Sequence, residues 1–537
     1  MMNKQNVIET VGLYFRSVPY LKPGQIYYRC KRKLKLKCGL GVTAKDEYQE
    51  TIPPAAFPEL DFDHKFLQRF SADELLDNRV TFLHITEPFG WCEPWERSSQ
   101  TPLWNFNLHY FEYLFPLLHA FNESGCKKYL DKAFETIHCW IAWNKEGYSV
   151  YGWHPYTTAI RLTNWLGFLS LAKEEVPSGY LDEMIESIHR QYVFLSNNLE
   201  KDLLGNHYFE DLKTIILCAL FFNDEKMLSC AKKEFRKQCH EQFLPDGMHF
   251  ELSPMYHCAI LEGLLRVCIS LRNARDCDLD LESFVQPAVD AAMLGSGAQR
   301  LPLFNDGGDN VAKSVPALLQ AANRLHIFAK KAASFPDAGY YSFQWNEWTL
   351  IVDAGQPGAK YNGGHVHCDA LSYELFYNGE PVIVNCGTWL YQCEERSFFR
   401  STEAHNTVRV DRHEQSECWG SFRLARRSCV EAMEVGERQI IMRLTDFLGA
   451  NVIRTIKIDD QVLSVTDSAP GGYLESWIHF NKTIPVYSKQ RMEWSTMPYA
   501  PEYGLRMDIP VVKISGDHQV SYKLALRVDN EHMKSPV

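Results

Sequence analysis

The sequence predicts an α+β multidomain chain in which a helical toroid or solenoid precedes an antiparallel β-domain of sandwich type. Three observations carry this. From about residue 100 to 330, apolar residues recur every three or four positions, the spacing that gives a helix a buried face. Near residue 335 the period drops to two, as in FPDAGYYSFQWNEWTLIVDAG and NVIRTIKIDDQVLSVTDSAPGG. The turns change at the same place, from loops marked by Gly, Pro and Asp to the hairpin-type YNGE and IDDQ. With 537 residues and 45% hydrophobic content, the chain can bury more than one core.

Residues 1–95 read as an N-terminal cap of short helices and extended pieces, punctuated by PG, PP, EPFGW and CEPW. Residues 96–333 form the helical domain. NLHYFEYLFPLLHAF, TTAIRLTNWLGFLSLA, HYFEDLKTIILCALFF and MYHCAILEGLLRVCISL each carry the helical period. Residues 334–537 alternate throughout and read as antiparallel β.

The formal net charge is −11, unevenly spread. Residues 1–40 hold nine Lys or Arg against one acidic residue, Glu9, a local +8 that leaves −19 for the rest. CKRKLKLKC in this arm reads as a solvated helix face, and residues 29–37 also offer a peripheral contact to an anionic membrane surface. The acidic body excludes nucleic acid as the main partner but not an anionic glycan, because the field inside a cleft is local. Oligomeric state leaves no mark in the sequence. The N-terminus has no uninterrupted apolar core of a signal peptide, and no stretch approaches the ~20 apolar residues of a membrane span. The 16 cysteines are scattered without a C-x-x-C pair, which reads as reduced, mostly buried thiols. A cytoplasmic location is expected.

The densest chemistry lies in residues 363–408, GGHVHCDALSYEL and VNCGTWLYQCEERSFFRSTEAHNTV. Crowding His365, His367, Tyr391 and His405 into one β-segment marks a site rather than a core. At i and i+2, His365 and His367 would face one side of a strand. Upstream, Asn206-His207 and Tyr256 supply an amide, a further imidazole and a phenol. Arg396 and Arg400 suit a two-pronged contact with a carboxylate or sulfate, and equally pairing with Glu394, Glu395 or Glu403. Trp153, His154 and Arg161 are expected to line a helical cleft, with His109 and Tyr110 as weaker candidates. Asp306 and Asp309 are too closely spaced for an EF-hand loop and read as a polar junction.

GNHYFED, DGMHFELSPMYH, LPLFNDGGDN, FPDAGYYSF, GGHVHCDALSYEL and GTWLYQCEERSFFRSTEAHNTV, in that order, resemble the heparinase II/III-like polysaccharide lyases. The resemblance implies an (α/α) toroid followed by an antiparallel β-sandwich, and a uronic-acid polysaccharide or oligosaccharide as partner. It implies cleavage by β-elimination, with Asn206 and His207 neutralising the uronate carboxylate and Tyr256 as general acid. Tyr391 and His365 both stand as the base. It also implies a structural divalent metal, zinc-like, held by His367, by the position of Asn385 and by His405. Asn385 replaces the family's acidic ligand, and a neutral amide is a poor zinc donor. Two other functions fit the same groups, a uronosyl C5-epimerase and a non-catalytic glycan-binding protein of a capsule or exopolysaccharide pathway.

Overall fold

Helices dominate the chain as far as Val315–Asn323, and strands take over from Ser334–Phe335. The computed structural model describes residues 4–38, 58–145, 149–309 and 311–526. Helices Pro102–Tyr110, Pro155–Ala172, Gly205–Phe221, Pro254–Asn273 and Val315–Asn323 pack each against the next. Pro155–Ala172, Gly205–Phe221 and Pro254–Asn273 are buried on nearly every face. Lys127–Trp143, Ser178–Asn197 and Glu225–Gln242 bury only one stripe and lie outside them. This alternation of inner and outer helices is the (α/α) toroid. Helix Pro254–Asn273 is long and apolar enough to cross a membrane, contrary to the sequence reading. Its side chains are buried inside the ring.

Several inner helices start with a hydroxyl N-cap followed by proline, which satisfies a free backbone N–H and presets φ. Thr101 Oγ1 accepts from Trp104 N at 3.2 Å, and Ser253 Oγ accepts from Tyr256 N at 3.2 Å. These first turns all open on one side of the ring.

The first sheet contains strands Ser334–Phe335, Tyr340–Trp345, Trp348–Asp353, Tyr373–Tyr377 and Glu380–Ile383, antiparallel and in chain order. The second is built around the long strands Val462–His479 and Met507–Ala525, with registers such as Val465↔Tyr522. Leu350, Tyr373 and Leu375 of the first sheet share one core with Val465, Ile514 and Tyr522 of the second, so the two form a sandwich. A separate apolar cluster joins the domains, packing Met248, Leu252 and Phe304 against Tyr340, Ile351 and Phe376.

The cap differs from expectation at its start. Residues 4–38 form two substantial helices, Lys4–Ser17 and Pro23–Cys38. Within the basic stretch Lys31 and Lys33 are exposed, and Arg32 lies 3.7 Å from Glu200. Arg16 pairs with Glu417 of the β-domain at 2.7 Å, and Lys22 with Glu241 of the ring. Further on, Phe82–Leu83-His84 turn between strands Arg79–Phe82 and Ile85–Pro88, and His84 reaches Glu502 at 3.0 Å. Cys92 and Cys139 are paired as a disulfide, which corrects the expectation of reduced thiols at those two positions.

Candidate active site

A cleft of about 1170 Å³ lies between the ring and the sandwich. Its walls include Thr101, His154, Tyr156, Asn206, His207, Met255 and Tyr256 from the first turns of inner helices, and His365, Tyr391 and Tyr503 from the β-domain. Helix N-termini carry unpaired N–H groups and the positive end of the backbone dipole. Four of them facing one cleft give it an intrinsic preference for anions.

Asn206 sits in the first turn of helix Gly205–Phe221, whose N-cap is Leu204. Its amide is held from both domains. Nδ2 donates to Glu251 Oε2 at 2.8 Å and to His365 Nε2 at 3.0 Å. Glu251 Oε1 accepts from Asn206 N at 3.3 Å and from Asn362 Nδ2 at 2.8 Å. The carboxylate accepts only, so it fixes which end of the Asn206 amide is nitrogen.

His365 and His367 do not lie on a strand, yet both meet one carboxylate. His365 Nδ1 lies 2.9 Å from Asp306 Oδ2, and His367 Nε2 lies 2.8 Å from Asp306 Oδ1. Arg396 closes on the same group with two prongs, at 2.5 and 2.8 Å, and Thr388 Oγ1 donates at 3.1 Å. Burial opposes ionisation of Asp306, but the Arg396 guanidinium and the two imidazoles hold its carboxyl well below the usual carboxylate range. An ionised Asp306 requires the His365 proton on Nδ1. Nε2 is then a lone pair facing Asn206, the tautomer a base needs.

Tyr256 stacks on His365 with ring centroids 3.9 Å apart. Its hydroxyl lies 2.7 Å from that of Tyr391, which lies 2.6 Å from that of Tyr503. Burial, reinforced by Tyr503 and Asp306 and opposed by the Tyr391 hydrogen bond, pushes Tyr256 well above the usual tyrosine value. Burial does the same to Tyr391, with Tyr256 adding to it. Both phenols are therefore protonated at neutral pH and suited to donate.

His207 follows Asn206 in the same first turn, and its Nδ1 lies 2.9 Å from Glu200 Oε2. Burial alone would lower the His207 pKa, but the Glu200 carboxylate overrides it and the net shift is upward. Burial likewise opposes ionisation of Glu200, and His207 brings its carboxyl down to about 2. Glu200 therefore favours the charged form of His207, which lines the cleft. Together the cleft offers an amide donor, an imidazole whose charged form Glu200 favours, an imidazole held by Asp306 with Nε2 towards Asn206, and a phenol. That set can remove a proton from a carbon acid beside a carboxylate and deliver one to a leaving oxygen.

The structure brings Asn206, His207, Tyr256, His365, Tyr391 and His154 together on one cleft, and places Arg161, Trp153, Arg396 and Arg400 elsewhere. Arg161 is fully buried in the ring, donating to Gln191 Oε1 at 2.7 Å and stacking on Trp140. Trp153 packs on Phe194 and Trp140 and donates to Asn144 O at 3.0 Å, away from the cleft. Arg396 is consumed by Asp306. Arg400 is buried and donates to the carbonyls of Val366, Gly363, Gly420 and Arg423. Both arginines are thus committed to protein partners, and among the described residues neither pairs with Glu394, Glu395 or Glu403.

The implied metal site is not assembled either. His367 and His405 are buried with ring centroids 5.3 Å apart, and His367 Nδ1 has no hydrogen-bond partner. The third position fails, because Asn385 Nδ2 donates to Ser372 Oγ at 3.3 Å and its Oδ1 accepts from Asn406 N at 3.1 Å. Among the described residues no three His, Cys, Asp or Glu side chains form a metal-binding group. These residues do not fit the expected divalent ion, because a committed neutral amide stands where a carboxylate would be needed.

Sequence reasoning missed Glu200, Glu251 and Tyr503, and read Asp306 as a polar junction. Glu251 and Asp306 lie inside motifs already singled out. A carboxylate in an otherwise aromatic and apolar run, as in GMHFELSP or LPLFND, was the usable signal. Tyr503 lies 112 residues after Tyr391 and carries no local signal.

Models of the heparinase II/III N-terminus and the heparinase II/III-like C-terminal domain match residues 74–334 and 329–487. A heparin-sulfate lyase of Pedobacter heparinus is 24% identical over 353 residues, covering 57% of this chain and 52% of that protein. One of Bacteroides thetaiotaomicron is 22% identical over 385 residues, covering 59% and 53%. The chain thus spans about half the length of the curated relatives it matches. A crystal structure of heparinase III superposes with a TM-score of 0.69 at 14% identity, covering 95% of this chain and 93% of that one.

Proposed function

The chain belongs to the heparinase II/III-like family, and from that premise and the cleft geometry we propose that it is a polysaccharide lyase. In this reading it cleaves a uronic-acid-containing glycan by β-elimination. The observation that carries the reading is the cross-domain contact of Asn206, His365 and Tyr256, an amide, an oriented imidazole and a stacked phenol in one cleft.

The C5 proton of a uronate is weakly acidic, and its removal requires charge on the adjacent carboxylate to be neutralised. Asn206 and the His207 imidazolium do this. In the free cleft one Asn206 N–H is spent on His365 Nε2. Turning that N–H to the substrate carboxylate also frees the Nε2 lone pair, so binding and base activation are one motion. His365, held by Asp306, takes the C5 proton. The electron pair forms the C4–C5 double bond as the C4–O4 bond breaks. Tyr256 protonates O4, and the Tyr391–Tyr503 chain behind it supplies a route for its reprotonation. Between the two bases left open by the sequence, the protonated state of Tyr391 favours His365.

An absorbance assay for the unsaturated uronate tests this on heparan-type, hyaluronan-type, alginate and bacterial capsular glycans. Wild type is expected to generate the chromophore on one class. Tyr256→Phe is expected to lose at least about 10² in rate, the scale of general acid catalysis. Solvent deuterium entering C5 without chain cleavage would replace the lyase by an epimerase. Binding that survives in Tyr256→Phe, with neither chromophore nor deuterium from wild type, would leave a glycan-binding protein.

A further inference from the structure

The N-terminal helix pair crosses the cleft from one domain to the other, and it lies outside residues 74–487 that the family models match. At the β-domain end, Tyr14 meets Trp419 edge-on at 4.8 Å, Ser17 Oγ accepts from Trp419 Nε1 at 3.1 Å, and Arg427 stacks on Tyr20 at 4.3 Å. At the ring end, Gln25 donates to Leu203 O at 3.3 Å and Arg32 lies 3.7 Å from Glu200, the carboxylate that holds His207. The pair is a strap rather than a free arm.

The charges facing the cleft divide by side. Every carboxylate on its wall sits beside a cation or a histidine, including Glu112 with Arg69, Glu210 with Lys213, Asp309 with Lys65 and Glu502 with His84. Glu262, the remaining one, pairs with Arg266. On the strap side the wall carries Arg29, Lys33, Arg423 and Arg427. Among the described residues none of these four is in an ion pair with a carboxylate. Arg29 makes one long contact, 3.4 Å to Asp202 O, and Arg423 leans on Tyr14. Arg29 and Lys33 are one helical turn apart and share a face of Pro23–Cys38.

We infer that the strap builds an anionic subsite, in which Arg29 and Lys33 bind a carboxylate or sulfate on a sugar neighbouring the one held by Asn206 and His207. This rests on the glycan reading of the cleft. A cleft exceeding the ~300–1,000 Å³ of common small-molecule pockets has room for more than one ring. Cations there without a carboxylate partner select an oligosaccharide with repeated negative charge over a singly charged one. Arg29 and Lys33 are binding residues in this account, not catalytic ones.

The experiment measures calorimetric affinity of the full-length protein for tetrasaccharides of heparin and of alginate, in a Tyr256→Phe background that prevents turnover. Arg29→Ala/Lys33→Ala is expected to weaken binding of at least one probe about tenfold, the scale of charge-assisted hydrogen bonds, and more at low salt than at high. Lys31→Ala, exposed on the same helix and off the cleft wall, is expected to change nothing. Thermal melting checks that each variant folds. Equal affinities for the parent and the double variant overturn the inference. So does an equal loss in Lys31→Ala, or no saturable binding of either probe. Unchanged tetrasaccharide affinity with loss of binding to phosphatidylserine vesicles would instead assign these cations to a membrane surface. Because the readout is affinity, a failed chromophore assay removes the lyase reading without deciding this one.

Discussion

At the scale of single residues, the site is governed by carboxylates placed behind imidazoles. Asp306 fixes the tautomer of His365, whereas Glu200 fixes the charge of His207. The second case has a pH consequence. Glu200 raises the His207 pKa against burial, so the imidazolium survives to higher pH than an ordinary histidine near 6.5 and is lost as pH rises through the raised value. The folding stability contributed by the raised His207 pKa is likewise complete below the unfolded histidine pKa and lost as pH rises through the folded one, whereas the Glu200 contribution is lost as pH falls towards about 2. Glu200→Gln removes the raising charge and leaves burial, which lowers. The alkaline limb of kcat/KM is therefore expected to shift to lower pH. A limb that stays in place would show that the His207 charge does not enter the reaction. The sequence displayed His207 and His365 as candidates but not what stands behind them. Glu200 precedes His207 by seven residues, across a turn, and Asp306 precedes His365 by 59.

At the scale of elements, the period of apolar residues was enough to locate helices and strands, because burial of one face is a local demand. The turn feeding helix Gly205–Phe221 shows what a local pattern conceals. Gly205 has φ +57°, and a Cβ there would lie 2.2 Å from Glu251 Oε1 and 2.6 Å from Asn362 Nδ2. Left-handed backbone and the close approach of two side chains together demand glycine. Gly205→Ala is expected to cost about 2–4 kcal/mol in chemical denaturation, from left-handed strain plus overpacking. It should also reduce turnover, because Glu251 positions the Asn206 amide. A neutral result on both would mean that the turn relaxes without moving Glu251. The strap is the counterpart at the N-terminus. Its Arg16 and Lys22 meet Glu417 and Glu241, acidic partners hundreds of residues away along the chain.

At the scale of the whole molecule, the cleft exists only where the ring meets the sandwich. Asn206 to His365, Glu251 to Asn362, Tyr256 to Tyr391 and Asp306 to Arg396 are all contacts between the two, laid over the shared apolar cluster of Leu252, Phe304, Tyr340 and Phe376. Separating the domains would expose that cluster and strand the buried Asp306 and Arg396 charges. The protein is therefore expected to unfold in one calorimetric transition, with calorimetric and van't Hoff enthalpies in agreement. Two resolved transitions would mean that the interface contributes little. By itself the sequence determined the order of helical and β-segments, the family resemblance and the identity of the histidines, tyrosines and asparagine at the site. These depend on local periodicity and on side-chain chemistry. Only the tertiary structure decided that Arg161, Arg396 and Arg400 are spent inside the fold, that Asn385 is locked in an amide network, and that Asp306 and Glu251 stand at the centre. An ionic group inside a protein takes whichever partner the packing brings within reach, and that partner's distance along the chain is not written in its neighbours.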